Sequence, residues 1–439
     1  MCPRLDAVFV TVLALFAGPL RAHDRLPGVV EKTPVALVGG TVFPVDAAPI
    51  ERGVVVFAVG RIVTVGGAET PVPAEARRID ATGKRLYPGL IACNTQLGLI
   101  EIESIRATRD HTEVGELNPN LRAEIGVNPD SEMLPVTQAA GIAIAEVAPN
   151  GGLVAGQSAV IRLDGFTVEH LVIGTETAMH LYWPSMETDD GEGRPNPSRK
   201  ESRDRSLQLL SDLLARSRAW AALPKPSDPT IAAPDLKLEA MRQFVSGERP
   251  FFVHADAAAD IRAAVEWAAA EKLRIAIVGG RESPRVAALL REQAVPVVYG
   301  PLYQLPAGRA RPLDEIYSGP ARLHEAGVRF SVVTPENMTT RNLGAEAGTA
   351  TAFGLPREIA LRSITLSAAE ILGIEDRYGS LRAGKSATLV VADGDILEAS
   401  TRVEMMWVDG RAVDLENRQT ALYRKYLERL RREAAPREF

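Results

Sequence analysis

The chain has 439 residues and a formal charge of −6 at pH 7, with 46% hydrophobic and 24% charged residues. This composition supplies enough apolar surface for a folded core and excludes a largely disordered chain. Two cysteines exclude a disulfide framework, and the absence of a dominant basic face argues against nucleic acid as a partner. The length allows two or three domains, or one large barrel with an accessory module.

The N-terminus has the pattern of a secretory signal peptide. Arg4 supplies a positive charge, and residues 7–20 form an apolar stretch that is too short to span a bilayer comfortably. We therefore expect residues 1–22 to be removed and the protein to be exported, to the periplasm or out of the cell. A buried N-terminal helix is the alternative. No other apolar run is long enough for a transmembrane span.

Two kinds of pattern follow along the mature chain. Residues 23–85 contain short strands punctuated by glycine and proline, without a helical period, and predict a small β module. Strands then alternate with helices; a strand at residues 251–255, for example, precedes apolar residues at helical spacing over 257–271. Such units form parallel sheets, and enough of them fit between residues 86 and 375 for an eight-fold βα barrel. Residues 376–414 return to β character.

Two polar segments stand outside this rhythm. Residues 187–206 are rich in charged residues, glycine and proline, and predict an exposed loop before a helix over 207–222. Residues 415–439 predict a C-terminal amphipathic helix. We expect its apolar side to dock on the protein and its basic side to face solvent, rather than a membrane.

Four passages carry a resemblance to a known family. Residues 78–96 read RIDATGKRLYPGLIACNTQ, which is similar to a D-A-x-G-x-x-x-x-P-G-L-I-D-x-H-x-H motif. The others are residues 36–64, 363–397 (with GSLRAGKSATLVV) and 403–413 (VEMMWVDGRAV). Together they resemble the amidohydrolase superfamily, and within it the imidazolonepropionase-like group, over nearly the whole mature chain. The resemblance implies an α/β fold: a (β/α)8 TIM-type barrel with a small β-sandwich formed by the N- and C-terminal segments.

The resemblance also implies an activity and a cofactor. Family members hydrolyse non-peptide C–N bonds of cyclic amides or amide-like small molecules at the barrel mouth. A divalent metal, zinc in this family, supplies the nucleophile by lowering the pKa of its bound water to about 7. The family's ligands are a His-x-His after the first strand, histidines on the fifth and sixth strands and an aspartate on the eighth.

This chain departs from that ligand pattern. Asn94 and Gln96 stand at the His-x-His positions, a glycine stands on the sixth strand, and Thr334 stands near the aspartate position, with Glu336 two residues further on. Only His254, on the fifth strand, survives as a metal ligand, and it is also a candidate catalytic residue. Asn94, Gln96 and Thr334 then become candidates for substrate binding. Two hypotheses follow: an exported hydrolase with an eroded metal site, or an inactive, metal-free barrel that binds a small molecule or a protein.

A second polar group follows the first strand, in the loop of residues 97–135. Arg106 and Arg109 could bind a substrate carboxylate, and Asp110 or Glu113 could act as a general base without metal. We call these four residues the loop group. The alternative is an ion-paired surface loop.

The remaining histidines do not restore the metal site. His170 and His180 are interpreted as structural, His324 as a surface residue and His23 as part of the mature terminus. No lysine stands in a convincing fourth strand, where the family places a bridging lysine. The expected partner is a small-molecule substrate or ligand, and homo-oligomerisation is left open.

Overall fold

The structure, a computed structural model, describes residues 26–189, 194–224, 235–305 and 312–434. The expected signal peptide and His23 therefore lie outside the described residues. The strands are β1 (Val35–Val42), β2 (Ile50–Ala58), β3 (Arg61–Gly66), β4 (Arg77–Asp80), β5 (Arg85–Pro88), β6 (Leu90–Thr95), β7 (Ile142–Val147), β8 (Val154–Gln157), β9 (Ala159–Arg162), β10 (Val172–Gly174), β11 (Met179–Tyr182), β12 (Phe251–Ala255), β13 (Ile275–Gly279), β14 (Val297–Tyr299), β15 (Phe330–Val332), β16 (Leu389–Ala392), β17 (Val403–Val408) and β18 (Arg411–Ala412).

The helices lie almost entirely between the strands of the barrel and at the C-terminal end. The α-helices are α1 (Met133–Gln138), α2 (Val168–Leu171), α3 (Pro197–Ala221), α4 (Leu236–Val245), α5 (Ala258–Glu271), α6 (Ala287–Glu292), α7 (Glu315–Glu325), α8 (Leu343–Ala352), α9 (Arg357–Ser363), α10 (Leu366–Leu372) and α11 (Arg418–Ala434). Short 3-10 turns occur at Arg106–Thr108, Ala123–Gly126, Ser283–Val286 and Thr340–Asn342. No helix of the described residues is long and apolar enough to cross a membrane.

An eight-stranded sheet joins the two ends of the described chain. Its order is β18-β17-β16-β5-β1-β2-β3, with β4 beside β1. Strand β16 pairs antiparallel with β5, so that Leu389 lies opposite Pro88. Leu37, Phe57 and Trp407 are among the buried side chains of its core. Strands with alternating apolar and polar residues bury their apolar face against a core. Here strands from distant parts of the sequence share one such core.

The barrel wall consists of two further sheets. Strands β11 to β15 pair in parallel in chain order, and β6 pairs in parallel with β7. Between these parallel sets, β8 and β9 pair antiparallel with β11 and β7. The outer strands of the two sheets, β6 and β15, also lie close together: Cys93 Sγ is 3.7 Å from Ser331 Oγ. The α/β, TIM-type architecture is confirmed; the antiparallel pair is a detail that the sequence pattern did not predict.

The helix prediction succeeds where apolar periodicity is strong. Helix α5 lies where the pattern over 257–271 placed it. The loop prediction over 187–206 is wrong from Pro197 onward, because α3 begins there. Asn196 caps this helix by accepting a hydrogen bond from Arg199 N, and proline suits the first helical position. The polar residues that indicated a loop lie on an exposed helical face.

The C-terminal helix exists, but the docking prediction for it is wrong. Among the apolar side chains of α11, Leu422, Tyr426 and Leu430 are exposed. Its first turn is tied to the body by a hydrogen bond from Arg341 Nη1 to Gln419 Oε1, 2.7 Å. This hydrogen bond holds only one end of the helix, and no described residue covers the exposed apolar side chains Leu422, Tyr426 and Leu430.

Candidate functional site

Four residues on strands β7, β11 and β12 form the centre of the site. Strand β11 carries His180 and Tyr182, strand β12 carries His254, and strand β7 carries Glu146. Tyr182 lies opposite His254 in the parallel pairing of β11 with β12. Because side chains alternate along a strand, His180 and Tyr182 share one face, and the register places His254 on that face as well.

A continuous line of hydrogen bonds connects three of these residues, which we call the buried relay. His180 Nδ1 lies 2.9 Å from His254 Nε2, and His180 Nε2 lies 3.3 Å from Glu146 Oε1. The second oxygen of Glu146 accepts a hydrogen bond from Asn94 N, 2.9 Å. Glu146 and His180 have no exposed side-chain surface. The relay is therefore a buried polar network in which each internal contact is made.

The carboxylate sets the direction of the hydrogen bonds in the relay. An ionised carboxylate only accepts, so His180 donates from Nε2 and accepts at Nδ1. His254 must then donate from Nε2, which leaves the lone pair of its Nδ1 available. No hydrogen bond to His254 Nδ1 is present among the described residues.

The surroundings of His254 keep its ring neutral. Burial, and next the neighbouring His180, lower the pKa of His254 well below its usual range. The ring of Tyr182 stacks on that of His254, with centroids 4.0 Å apart and an interplanar angle of 13°. Burial also raises the pKa of Tyr182. The site therefore presents a free imidazole base beside a phenol that keeps its proton and can donate a hydrogen bond.

The relay opens into a cavity of about 300 Å³ at the barrel mouth. Its lining combines neutral amides, prolines, an aromatic ring and one carboxylate: Asn94, Gln96, Ala148, Pro149, Asn150, Tyr182, His254, Pro335 and Glu336. Asn94 has a φ of 49°, in the left-handed region that asparagine tolerates better than most residues. This bend at the end of β6 accompanies the hydrogen bond from its backbone N–H to Glu146.

The structure brings together only some of the candidate residues. Asn94, Gln96, His254 and Glu336 line one cavity. Thr334 is buried beside it, where its Oγ1 donates to Thr340 O at 3.3 Å, and it is not part of the lining. Its predicted role in substrate binding stays a prediction.

None of the loop group is among the residues that line this cavity. All four side chains are exposed: Arg106, Arg109, Asp110 and Glu113. The Glu113 carboxylate accepts a hydrogen bond from the neighbouring Val114 N, 2.8 Å. The roles proposed for them, a carboxylate clamp and a general base, stay predictions.

Sequence reasoning missed two members of the relay. Glu146 went unnoticed, and His180 was interpreted as structural. The signal for Glu146 was a single carboxylate inside the otherwise apolar strand Ile142–Val147, all of it buried. A buried carboxylate needs a partner, and the few histidines of the chain were the natural candidates. The fourth strand of the barrel is β11; where the family has a bridging lysine, it carries His180 and Tyr182.

The residues at the family's metal positions do not fit a divalent metal. Zinc sites use three or four His, Cys or carboxylate ligands. Within the described ranges, no group of three or more His, Cys, Asp or Glu side chains is placed to hold a metal ion. His254 could offer a single nitrogen, Nδ1, because its Nε2 is bonded to His180. Asn94 and Gln96 offer neutral amides, which are weak ligands for zinc.

Comparisons with known proteins point to one family. The model of the family described as "Amidohydrolase family" matches residues 327–414. An amidohydrolase of Hapsidospora irregularis, tasK, is 23% identical over 425 residues, which is 89% of this chain but only 42% of that protein. This chain therefore spans less than half the length of that relative. Imidazolonepropionase of Mesorhizobium japonicum is 24% identical over 375 residues, covering 78% of this chain and 87% of the enzyme.

Solved structures agree on the fold. The crystal structure of an amidohydrolase from Thermotoga maritima MSB8 matches with a TM-score of 0.77 and 26% identity, covering 87% of this chain and 99% of that one. A prolidase solved with N-methylphosphonate-L-proline matches with a TM-score of 0.54 and 18% identity, covering 87% of this chain and all of that one. At that identity, the second match supports the architecture alone.

Proposed function

The chain belongs to the amidohydrolase superfamily, and from that premise we propose that it is an exported hydrolase of non-peptide C–N bonds in small molecules. The reaction takes place at the barrel mouth and uses the buried relay in place of a metal. One observation carries this proposal: the hydrogen-bonded line Glu146–His180–His254 ends at a cavity of about 300 Å³. Export rests on the signal-peptide pattern of residues 1–22.

In this reaction His254 is the general base. Its Nδ1 takes a proton from a water molecule, and the water oxygen forms a bond to the carbonyl carbon of the substrate. His254 shares the resulting positive charge with His180 through Nε2, and the Glu146 carboxylate stabilises that charge. Collapse of the tetrahedral intermediate breaks the C–N bond, and the proton held by His254 passes to the leaving nitrogen.

The cavity also supplies donors for the negative charge that develops on the carbonyl oxygen. The side-chain amides of Asn94 and Gln96 and the phenol of Tyr182 are neutral N–H and O–H groups in the lining. Such donors stabilise an oxyanion when they are held in place before the reaction. Asn94 is held by its backbone bond to Glu146 and Tyr182 by its stacking on His254.

The lining favours an uncharged or cationic substrate. Glu336 is the one carboxylate among the described lining residues, and that lining contains no arginine or lysine. A flat substrate, such as a cyclic amide or urea, could stack against Tyr182. A carboxylate-bearing substrate would instead need a cation from outside this lining, such as the predicted clamp of Arg106 and Arg109.

A second candidate is an inactive, metal-free barrel that binds a small molecule. The neutral side chains of Asn94 and Gln96 at positions where the family has metal-binding histidines favour it. A binding function needs the cavity and Tyr182, but it does not need a proton acceptor at His254.

A panel of hydantoins, lactams, cyclic ureas and dipeptides separates the two candidates. We expect the purified protein to hydrolyse at least one cyclic compound, and His254→Asn to abolish most of that activity. His324→Asn is the matched control, because His324 is an exposed histidine on α7. No hydrolysis, with saturable ligand binding that His254→Asn preserves and Tyr182→Ala weakens, would support the binding function instead.

A further inference from the structure

The C-terminal helix α11 exposes a continuous apolar stripe. Leu422, Tyr423, Tyr426 and Leu430 are exposed by 40%, 68%, 53% and 62% of their surface. At 100° per residue these four positions fall within one side of the helix. An amphipathic helix normally gains its stability by burying such a stripe, so this one is available to a partner.

The opposite side and the flanks of α11 are strongly basic. Arg418–Ala434 contains six basic and two acidic residues, a net charge of +4, whereas the whole chain carries −6. The positive charge is therefore local to this helix. Arg429 and Arg432 form ion pairs with Glu433 and Glu428 at 2.7 and 2.9 Å.

Three of the basic residues remain available for a partner. Arg424 is paired with Glu416, just before the helix. Arg418, Lys425 and Arg431 make no ion pair with any described residue, although Lys425 lies 6.0 Å from the centre of the Tyr426 ring. Free cations beside an exposed apolar stripe match the chemistry of an anionic lipid surface.

We propose that α11 binds the interface of an anionic phospholipid bilayer and thereby holds the protein at a membrane surface. The apolar stripe enters the boundary between headgroups and acyl chains, where tyrosine is favoured. Arg418, Lys425 and Arg431 lie at the level of the lipid phosphates. A second copy of the chain fits less well, because two helices of charge +4 repel each other when their stripes meet.

Vesicle sedimentation with the mature protein tests this proposal. One vesicle preparation contains phosphatidylglycerol and phosphatidylcholine, and the other contains phosphatidylcholine only. We expect binding to the anionic vesicles, a loss of binding at high salt, and much weaker binding to the neutral ones.

Two triple variants divide the contributions of charge and apolar surface. Arg418→Gln, Lys425→Gln and Arg431→Gln together should weaken binding to anionic vesicles by roughly fivefold for each charge removed. Leu422→Ser, Tyr426→Ser and Leu430→Ser together should abolish binding. Val114→Ser is the control, since Val114 is an exposed apolar residue (78%) of the loop of residues 97–135 and not of α11, and it should bind as the parent does.

Three results would overturn the proposal. One is the absence of binding to anionic vesicles by a protein whose circular dichroism shows that it is folded. Another is unchanged binding in both triple variants. The third is a stable dimer, detected by sedimentation velocity, that the apolar variant dissociates while no vesicle binding is seen; the stripe would then be an interface between two copies.

Discussion

The buried relay and the loop group both place carboxylates beside cationic or titratable groups, but they differ in their exposure to solvent. In the relay, Glu146 and His180 are fully buried, and each contact is 3.3 Å or shorter. In the loop group, all four side chains are exposed. The sequence indicates the loop group readily, because its four charged residues lie within eight positions. The residues of the relay are distributed over three strands.

Burial decides where strong electrostatic effects arise in this protein. Water and salt screen exposed charges, so their pairs contribute about 0–1 kcal/mol. Groups in a low-dielectric interior interact more strongly, and an unpaired one is costly. The relay is therefore the place where a change of one atom should alter activity, stability and pH dependence together.

The largest expected effect is on catalysis. His254→Asn removes the general base and should lower kcat for a hydrolysed cyclic amide by roughly 10² to 10⁴-fold. Asp110→Asn and Glu113→Gln should change kcat by less than about twofold, because their side chains are exposed and outside the cavity lining. Steady-state kinetics on the three variants decides the comparison. A larger loss of kcat in Asp110→Asn than in His254→Asn would indicate that the general base is Asp110.

Glu146 is expected to act through His180 and His254, as a positioning residue. Glu146→Gln removes the charge that stabilises a protonated relay and should lower kcat by about 10- to 100-fold with little change in KM. The acid limb of the pH–rate profile should move as well, because the ring of His254 loses a distant carboxylate. Glu146→Asp should restore part of the rate. A change in KM alone, with an unmoved profile, would indicate a merely structural role.

The relay should also contribute to stability. Glu146→Ala leaves the Nε2–H of a fully buried His180 without its acceptor, which costs about 1–3 kcal/mol of unfolding free energy. Glu113→Ala, in the exposed loop, should change it by less than about 0.5 kcal/mol. Urea denaturation of both variants measures the difference. Equal stabilities would show that water reaches His180.

The smallest effect is a pH dependence, and its sign follows from the pKa of His254. The unfolded chain binds a proton on His254 at about pH 6.5, whereas burial lowers the pKa in the folded protein. Below about pH 6.5 the unfolded state therefore binds more protons, and the unfolding free energy falls as the pH falls. His254→Asn should flatten this slope relative to the parent protein.

Glu346 also contributes to the pH dependence of the unfolding free energy, with the opposite sign. Burial raises the pKa of this carboxyl to about 7, from a usual value of 4.5. The folded protein thus binds more protons between these values, so that Glu346 contributes stability as the pH falls from about 7 to 4.5. Glu346→Gln removes this opposing contribution and should steepen the acid loss assigned to His254. A shallower acid loss in Glu346→Gln would contradict the raised pKa assigned to Glu346.

The sequence predicted the architecture well and the site only in part. Strand and helix periods, with motifs such as GSLRAGKSATLVV, indicated a barrel flanked by a sheet from both chain ends, because local patterns dictate those elements. Asn94, Gln96 and His254 were located by register with a family motif, and Glu336 only by its position two residues after Thr334. Glu146 and His180 were not, since their meaning depends on a contact between strands 34 residues apart. Helix α3 was missed because its exposed face has the composition of a loop.

The metal content of active protein tests metal-free hydrolysis by the buried relay. Elemental analysis of the purified protein, before and after chelation and with Zn²⁺ and Mn²⁺ add-back, should be read together with its hydrolytic rate. We expect far less than one equivalent of divalent metal per chain and a rate that neither chelation nor add-back changes. A stoichiometric metal that disappears in His254→Asn, with activity that returns only when metal is added back, would contradict this expectation.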